Sequence, residues 1–468
     1  MAGVSAPPVD PTHLDGPWYK LLTKYHWFVF AVAALGWLFD TMDQQLFVLA
    51  RDEAVADLLK ISPTDPQLAK FGGNATMVFL FGWAAGGLGF GIMGDRVGRV
   101  KTMLATILLY SIFTGLSVFA TGYYDFMAYR FLTGLGVGGE FAVGVALVAE
   151  VMPDRARPYA LSWLQALSAV GNCTAALIYI VLGHLQSSGA LDGLTLPGGT
   201  PFTAWRIAFS IGTLPALLAI FVRRKLKEPE RWQAADAKHQ KRGSYAELFG
   251  NPILRRNAFI GLAIGFAGVV GLWGIGFFSV QLQKSVFREL FTQEGMTGIE
   301  LEGAIKKWSG YTSLMLNVGA FFGMILSGLV AQRLGRRKAF AIAFTLGMLS
   351  TASVFAFFDS RTHVFTLIPL MGVCLLSIFG CLAIYFPELF PTRLRSTGTS
   401  FCYNVGRFVA AVGPFMFGFL TSSVFAGYKE IHPSMPMRYA GVSMCAIFLL
   451  GLAVLPFAPE TKGKPLPE

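Results

Sequence analysis

Between Ser396 and Tyr428 the chain carries one charged side chain, Arg407, and between Asn257 and Gln283 it carries none. Stretches of about 18 or more apolar residues cross the hydrocarbon core of a bilayer as helices, where every backbone N–H and C=O is satisfied within the segment. The pattern recurs along the whole chain. Of 468 residues, 54% are hydrophobic and 14% charged; soluble domains carry about 25% charged residues. A soluble enzyme, a disordered protein and a nucleic-acid binder are excluded. The expectation is an all-α membrane protein of many spans.

Apolar windows place twelve spans at approximately 27–50, 74–94, 102–122, 125–149, 159–183, 205–222, 257–283, 308–332, 339–358, 363–387, 397–421 and 438–457. An even number leaves both termini on one side, and Lys and Arg mark the cytoplasmic loops. With the N-terminus inside, 25 of the 38 Lys and Arg residues fall in inner loops and ten in outer loops. Both termini are expected to be cytoplasmic, in the inner or plasma membrane of the cell. The net charge of +11 then reads as topology rather than nucleic-acid affinity. The first 26 residues lack a cleavable signal pattern, so insertion is expected to begin with the first span. Cys173, Cys374, Cys381, Cys402 and Cys445 lie in apolar stretches, with spacings that suggest packing rather than a metal site or disulfides.

A duplication is visible across the basic connection 223–256. Asp95-Arg96-Val97-Gly98-Arg99 follows the second span, and Gln332-Arg333-Leu334-Gly335-Arg336 follows the eighth. Glu150-x-x-Pro153-x-x-x-Arg157 follows the fourth span and Glu388-x-x-Pro391-x-x-x-Arg395 the tenth; Pro229-Glu230 is echoed by Pro459-Glu460. Three matches at nearly one offset, at matching span ends, indicate a repeated six-helix unit. The expected domains are a bundle over 1–222, a cytoplasmic linker over 223–256 and a second bundle over 257–468.

These motifs resemble those of major facilitator superfamily transporters. Gly91 through Arg99 reads as the Gly-x-x-x-Asp-Arg-x-Gly-Arg motif, and the Glu-x-x-Pro-x-x-x-Arg runs and the ending Pro459-Glu460-Thr461-Lys462-Gly463 resemble the sugar-porter and organic-ion-transporter branches. The resemblance implies two pseudo-symmetric bundles related by an axis along the membrane normal, with a substrate site between them near the midplane.

Charges inside a bilayer are costly, so each one marks a candidate functional site. The first span carries Asp40 and Asp43, one helical turn apart; the fourth carries Arg130 and Glu140; the eleventh carries Arg407. Depth allows Arg130 to pair with either aspartate and favours Asp43. Resemblance favours Asp40, because Arg130 through Gly138 is similar to an Arg-x-x-x-Gly-x-Gly-x-Gly run of proton-coupled sugar porters whose arginine pairs with a matching aspartate. Asp-x-x-Asp also resembles the first span of aromatic-acid and sialate proton symporters, with Thr41 in place of a glycine. A guanidinium beside a carboxylate favours its charged form, and separation in an apolar setting favours the protonated one. Such a pair is a proton switch or, more simply, a static tie between helices. Glu140 reads three ways: a second protonation site, a partner of an inner-loop arginine, or a partner of Arg407.

Arg407 near the midplane needs an anion. Resemblance to the eleventh span of organic-anion transporters implies substrate carboxylate; a structural or gating ion pair is the alternative. Gln165, Tyr403, Asn404, Trp273 and Asn317 are further cavity candidates. For Trp83, packing is the simpler reading. The seventh span lacks the Gln-Gln signature of hexose carriers, which counts against a simple sugar. At the inner ends, Asp95, Arg96, Arg99, Glu150, Arg157 and Glu228 or Glu230 form one candidate charge network. Arg333, Arg336, Glu388, Arg395 and Glu460 form the second. Resemblance implies that such networks clasp the cytoplasmic ends in the outward-facing state; the alternative is a topology signal only. Gln332 in place of Asp95 predicts a looser second clasp.

The reading is a carrier, not an enzyme, that imports a small organic anion with protons. It expects no cofactor beyond the coupling proton, no metal and no nucleic-acid partner. A small-molecule substrate and the lipid bilayer are the expected partners, and the chain is expected to be a monomer. A proton-coupled or facilitative sugar or polyol carrier and a transport-dead receptor on the same fold are the alternatives.

Overall fold

The computed structural model describes residues 17–468 apart from 63–64, 66, 198, 218, 220–224, 238–241 and 411. The described residues form helices and no strand, with one isolated bridge between Thr195 and Pro201. The first bundle contains α1 (Lys24–Leu59), α2 (Gln67–Arg96), α3 (Arg99–Ser117), α4 (Tyr123–Val151), α5 (Arg157–Ser187) and α6 (Ala204–Ile211). Two short helices follow, α7 (Glu230–Ala237) and α8 (Tyr245–Gly250). Then come α9 (Pro252–Val269), α10 (Phe277–Gln293), α11 (Gly298–Leu334), α12 (Arg336–Phe357), α13 (Leu367–Glu388), α14 (Arg395–Ala410), α15 (Val412–Phe419), α16 (Met435–Met444) and α17 (Ile447–Val454).

Among the described residues, nine helical segments are long and apolar enough to cross a membrane. The other three expected spans fall on α1, on α6 and on α14–α15. The stretch expected after α6 runs into positions 218 and 220–224, outside the described residues. Between α9 and α10 the chain continues as a π-helix, Val270–Gly276, where Gly271, Gly274 and Gly276 leave few side chains to hold an α register.

Packing repeats between the bundles. In the first, α2 packs on α4, α3 on α4 and α1 on α5; in the second, α11 packs on α13, α12 on α13 and α9 on α14. Small residues allow the close approach. A methyl group added at Gly138 would strike the Trp83 carbonyl oxygen and come within 2.7 Å of the Gly87 nitrogen on α2. The bundles meet where α2 lies on α14 and α5 on α11.

The repeated motif has a local cause as well. Gly98 and Gly335 adopt φ of +125° and +93°, a left-handed region that favours glycine. Each precedes a helix whose first N–H groups need an anion. The Glu228 carboxylate accepts from the N–H groups of Arg99, Val100 and Lys101 at 2.7, 3.1 and 3.2 Å. Glu460 accepts from Arg336 and Arg337 at 2.9 and 3.1 Å. Burial raises the Glu460 carboxyl, but the N–H groups of Arg336, Lys462 and Arg337 more than offset this and hold it below the ordinary carboxylate range.

Candidate functional site

The five charged side chains singled out within the expected spans all lie among the described residues. Asp40 and Asp43 on α1 and Arg130 and Glu140 on α4 are buried, and Arg407 on α14 is partly buried. Among the described residues, no hydrogen bond reaches the carboxylate oxygens of Asp40, Asp43 or Glu140. Arg130 donates to Ser117 Oγ at 2.7 Å and lies over the rings of Phe209, Phe47 and Phe126 at 4.6, 5.6 and 5.7 Å. Its remaining electrostatic neighbour is Asp43, without hydrogen-bond contact. Asp40 instead has Glu140, Asp43 and Arg407 as its charged neighbours. The two aspartates, one turn apart, thus face different partners. An Asp40–Arg130 ion pair is not formed in this conformation.

Arg407 sits between aromatic faces from both bundles. Its guanidinium carbon lies 3.8 Å from the Trp83 ring centre on α2 and 4.3 Å from that of Tyr403 on α14. Such contacts stabilise a desolvated cation by about 0.5–2 kcal/mol each. Among the described residues, Nε and Nη1 have no hydrogen-bond partner. Behind it, Phe141 stacks on Tyr403 at 4.1 Å, and Trp273 meets Trp83 edge-on at 6.4 Å. The sequence reading assigned Trp83 to packing; its ring face is a wall of the arginine site. A lone tryptophan carries no sign of which helix it will face.

The other cavity candidates are dispersed. Gln165 is buried with Oε1 unpartnered. Asn404 donates to Ser400 Oγ and the Ser400 carbonyl at 3.0 and 3.1 Å, leaving its own carbonyl oxygen free. Asn317 accepts from Asn172 across the bundle interface at 3.1 Å.

At the motif-bearing end, a buried network joins the bundles. Asp95 accepts from the N–H groups of Ser396 and Thr397 at 3.1 and 2.8 Å and from the Thr397 hydroxyl at 2.6 Å, so it caps α14 of the opposite bundle. Arg99 pairs with Asp95 at 2.6 Å and Glu150 at 2.8 Å, and Glu150 also pairs with Arg395 at 2.7 Å. In the second copy, Arg395 thus reaches across to the first bundle, whereas Arg336 pairs with Glu388 at 2.6 Å and Thr461 donates to Glu388 at 2.6 Å within its own bundle. Gln332 brings no charge, and the first turn of α5 contains Pro158, which has no N–H to donate. Arg157 donates to the Ala149 carbonyl at 2.9 Å and pairs with Asp154. Arg96 donates to the carbonyls of Arg242 and Gly243 in the linker, and Arg333 is exposed. Glu230 is exposed at the start of α7; the helix-capping acid is Glu228. Both orders of Glu and Pro look alike in sequence.

Comparison with known proteins agrees with this architecture. The chain is 27% identical over 448 residues to a putative metabolite transport protein of Haemophilus influenzae, covering 95% of this chain and 99% of the relative. It is 30% identical over 349 residues to the cis,cis-muconate transport protein of Acinetobacter baylyi, covering 73% and 76%. The sialic acid transporter NanX of Escherichia coli is 25% identical over 444 residues, covering 93% and 96%. In fold, the proton:xylose symporter XylE superposes with a TM-score of 0.71 at 18% identity, covering 94% of this chain and 98% of that one. Residues 33–414 match the Major Facilitator Superfamily as a whole, and the chain is a transporter-type, non-enzymatic member of that family.

Proposed function

We propose that the protein is a secondary carrier that imports a small organic anion together with protons by alternating access. The observation that carries the reading is Arg407: a guanidinium held between Trp83 and Tyr403 at the junction of the bundles, with Nε and Nη1 unpartnered. A guanidinium with two unpartnered N–H groups selects a carboxylate, which can take both in plane. The named substrates of relatives, cis,cis-muconate and sialic acid, are both acids and point the same way. Asp43 opposite Arg130 supplies a proton switch: approach of the guanidinium favours the carboxylate, and withdrawal favours the acid.

The proposed topology has twelve spans with both termini cytoplasmic in the inner membrane, supported by the 25 basic residues of the inner loops. In it, the Asp95–Arg99–Glu150–Arg395 network clasps the cytoplasmic end and parts when the carrier faces inward. The carrier works as a monomer, without a cofactor beyond the coupling proton. The test is a thermal-shift screen of purified protein against benzoate, nicotinate, cis,cis-muconate, sialic acid and xylose. Stabilisation by one or more of the acids, lost in Arg407→Lys, is expected; stabilisation by xylose alone would overturn the anion reading.

A further inference from the structure

Past α17 the chain runs along the clasped end of the molecule. Glu460 caps α12, Thr461 donates to Glu388 at 2.6 Å, and Gly463 then turns the backbone at φ +71°. Of residues 464–468 only Leu466 is buried, at 3% exposure; Lys464, Pro465, Pro467 and Glu468 are exposed. Beside this anchor the Pro467 carbonyl accepts from Arg395 Nη2 at 2.8 Å. The segment bridges a cleft lined by Asn257, Glu388 and Leu389 of the second bundle and by its own Lys464, Pro465 and Pro467. It is therefore attached through one apolar side chain and one carbonyl, and both attachments lie next to the arginine that pairs with Glu150.

The two copies of the repeat differ at this point. Arg157 and Arg395 occupy matching places, and each donates Nε to a matching carbonyl, that of Ala149 at 2.9 Å and that of Pro387 at 3.0 Å. Nη2 of Arg157 is held by Asp154, a carboxylate of its own bundle, and among the described residues Arg157 makes no ion pair with Glu388. In the second copy Thr392 stands in the place of Asp154. Arg395 donates to the Thr392 hydroxyl at 3.1 Å and to Pro467, both neutral acceptors. They fix the guanidinium without neutralising it, and Nη1 crosses to Glu150 at 2.7 Å.

We propose that residues 464–468 are a strap that positions Arg395 for Glu150 and so favours the clasped conformation. With the strap docked, Arg395 is already ordered while the bundles are apart, and closing them costs less side-chain freedom. With the strap released, that cost returns at every closure. Leu466 and Pro467 act through Arg395 and are positioning residues. The strap rests on the reading of the Asp95–Arg99–Glu150–Arg395 network as a clasp.

Spin labels at Val97→Cys and Leu334→Cys, both exposed, report the separation of the bundles in the full chain once the native cysteines are replaced. Leu466→Ser should lower the clasped population relative to the open one by about two- to tenfold, the cost of ordering one long side chain. Leu466→Met, which restores an apolar anchor, should restore the parent distribution. Gly463→Ala meets no neighbouring atom but strains the +71° turn, so it should shift the distribution in the same direction with Leu466 and Pro467 in place. It serves if thermal melting shows that Leu466→Ser fails to fold. In a Glu150→Gln background Leu466→Ser should add little, because the partner for which Arg395 is positioned has lost its charge. A shift with Glu150→Gln but none with Leu466→Ser or Gly463→Ala would overturn the strap and leave the clasp standing. Equal shifts from Leu466→Ser with and without the Glu150 charge would overturn its action through Arg395. No shift with Glu150→Gln itself would defeat the clasp reading, and the strap with it.

Discussion

Replacing Glu150 with Gln isolates one of the contacts that join the bundles. Its carboxylate accepts from two buried arginines, Arg99 in its own bundle and Arg395 in the other, at 2.8 and 2.7 Å. Breaking a buried ion pair costs about 3–5 kcal/mol, but most of this does not bear on the conformational balance. Arg99 and Glu150 belong to one bundle, so their loss weakens both conformations alike. The Arg395 contact exists only while the bundles are clasped, and a hydrogen bond to a charged group contributes about 1.5–3 kcal/mol. At 1.4 kcal/mol per factor of ten, the clasped population should fall roughly 10- to 150-fold relative to the open one. Spin labels at Val97→Cys and Leu334→Cys read this directly. The two positions are exposed, at 41% and 48%, at matching places in the repeat. The five native cysteines are replaced beforehand. Glu150→Gln should shift the distance distribution to a longer, broader form, and Thr397→Val, which removes the hydroxyl's 2.6 Å bond to Asp95 and its 3.4 Å contact with the Gly91 carbonyl but no ion pair, should shift it less. Superimposable distributions for the parent and Glu150→Gln would refute the clasp.

Other predictions follow from single contacts. Arg407→Lys keeps the charge but loses the planar donor pair, so acid binding should weaken at least tenfold in a binding titration, more than the accompanying fall in melting temperature accounts for. Asp43→Asn should abolish proton-driven accumulation in vesicles and retain substrate exchange. Gly138→Ala drives a methyl group into the α2 backbone and should cost about 1–3 kcal/mol, read as a lower unfolding temperature. Glu460 is held below its ordinary range, so its stabilising contribution is present above about pH 4.5 and is lost as pH falls through its folded value. Glu460→Gln should flatten the acid limb of stability against pH.

Much of the architecture was legible because it rests on composition and repetition. Uncharged runs flanked by basic loops need no tertiary information, and the Gly98 and Gly335 motifs recur because each turn requires a left-handed residue beside a capping acid. The buried charges were legible for the same reason: Asp40, Asp43, Arg130, Glu140 and Arg407 stand out against apolar surroundings. Their partners were not. Depth along a helix is read from residue number, but direction around it depends on how neighbouring helices pack. Asp40 and Asp43 differ by one turn, yet one faces Glu140 and Arg407 while the other faces Arg130. Trp83 beside Arg407 arises from α2 meeting α14, a contact across more than 300 positions. Glu228 displaced Glu230 as the cap because the acid two residues earlier is the one that reaches the first turn of α3.

The most direct test is uptake into proteoliposomes of labelled benzoate, nicotinate, cis,cis-muconate, sialic acid and xylose, with the outside made acidic. At least one acid should accumulate above its external concentration. That accumulation should collapse when a protonophore dissipates the gradient and be absent in Arg407→Lys. Accumulation of xylose alone, or acid uptake indifferent to the gradient, would contradict a proton-driven carrier of organic anions.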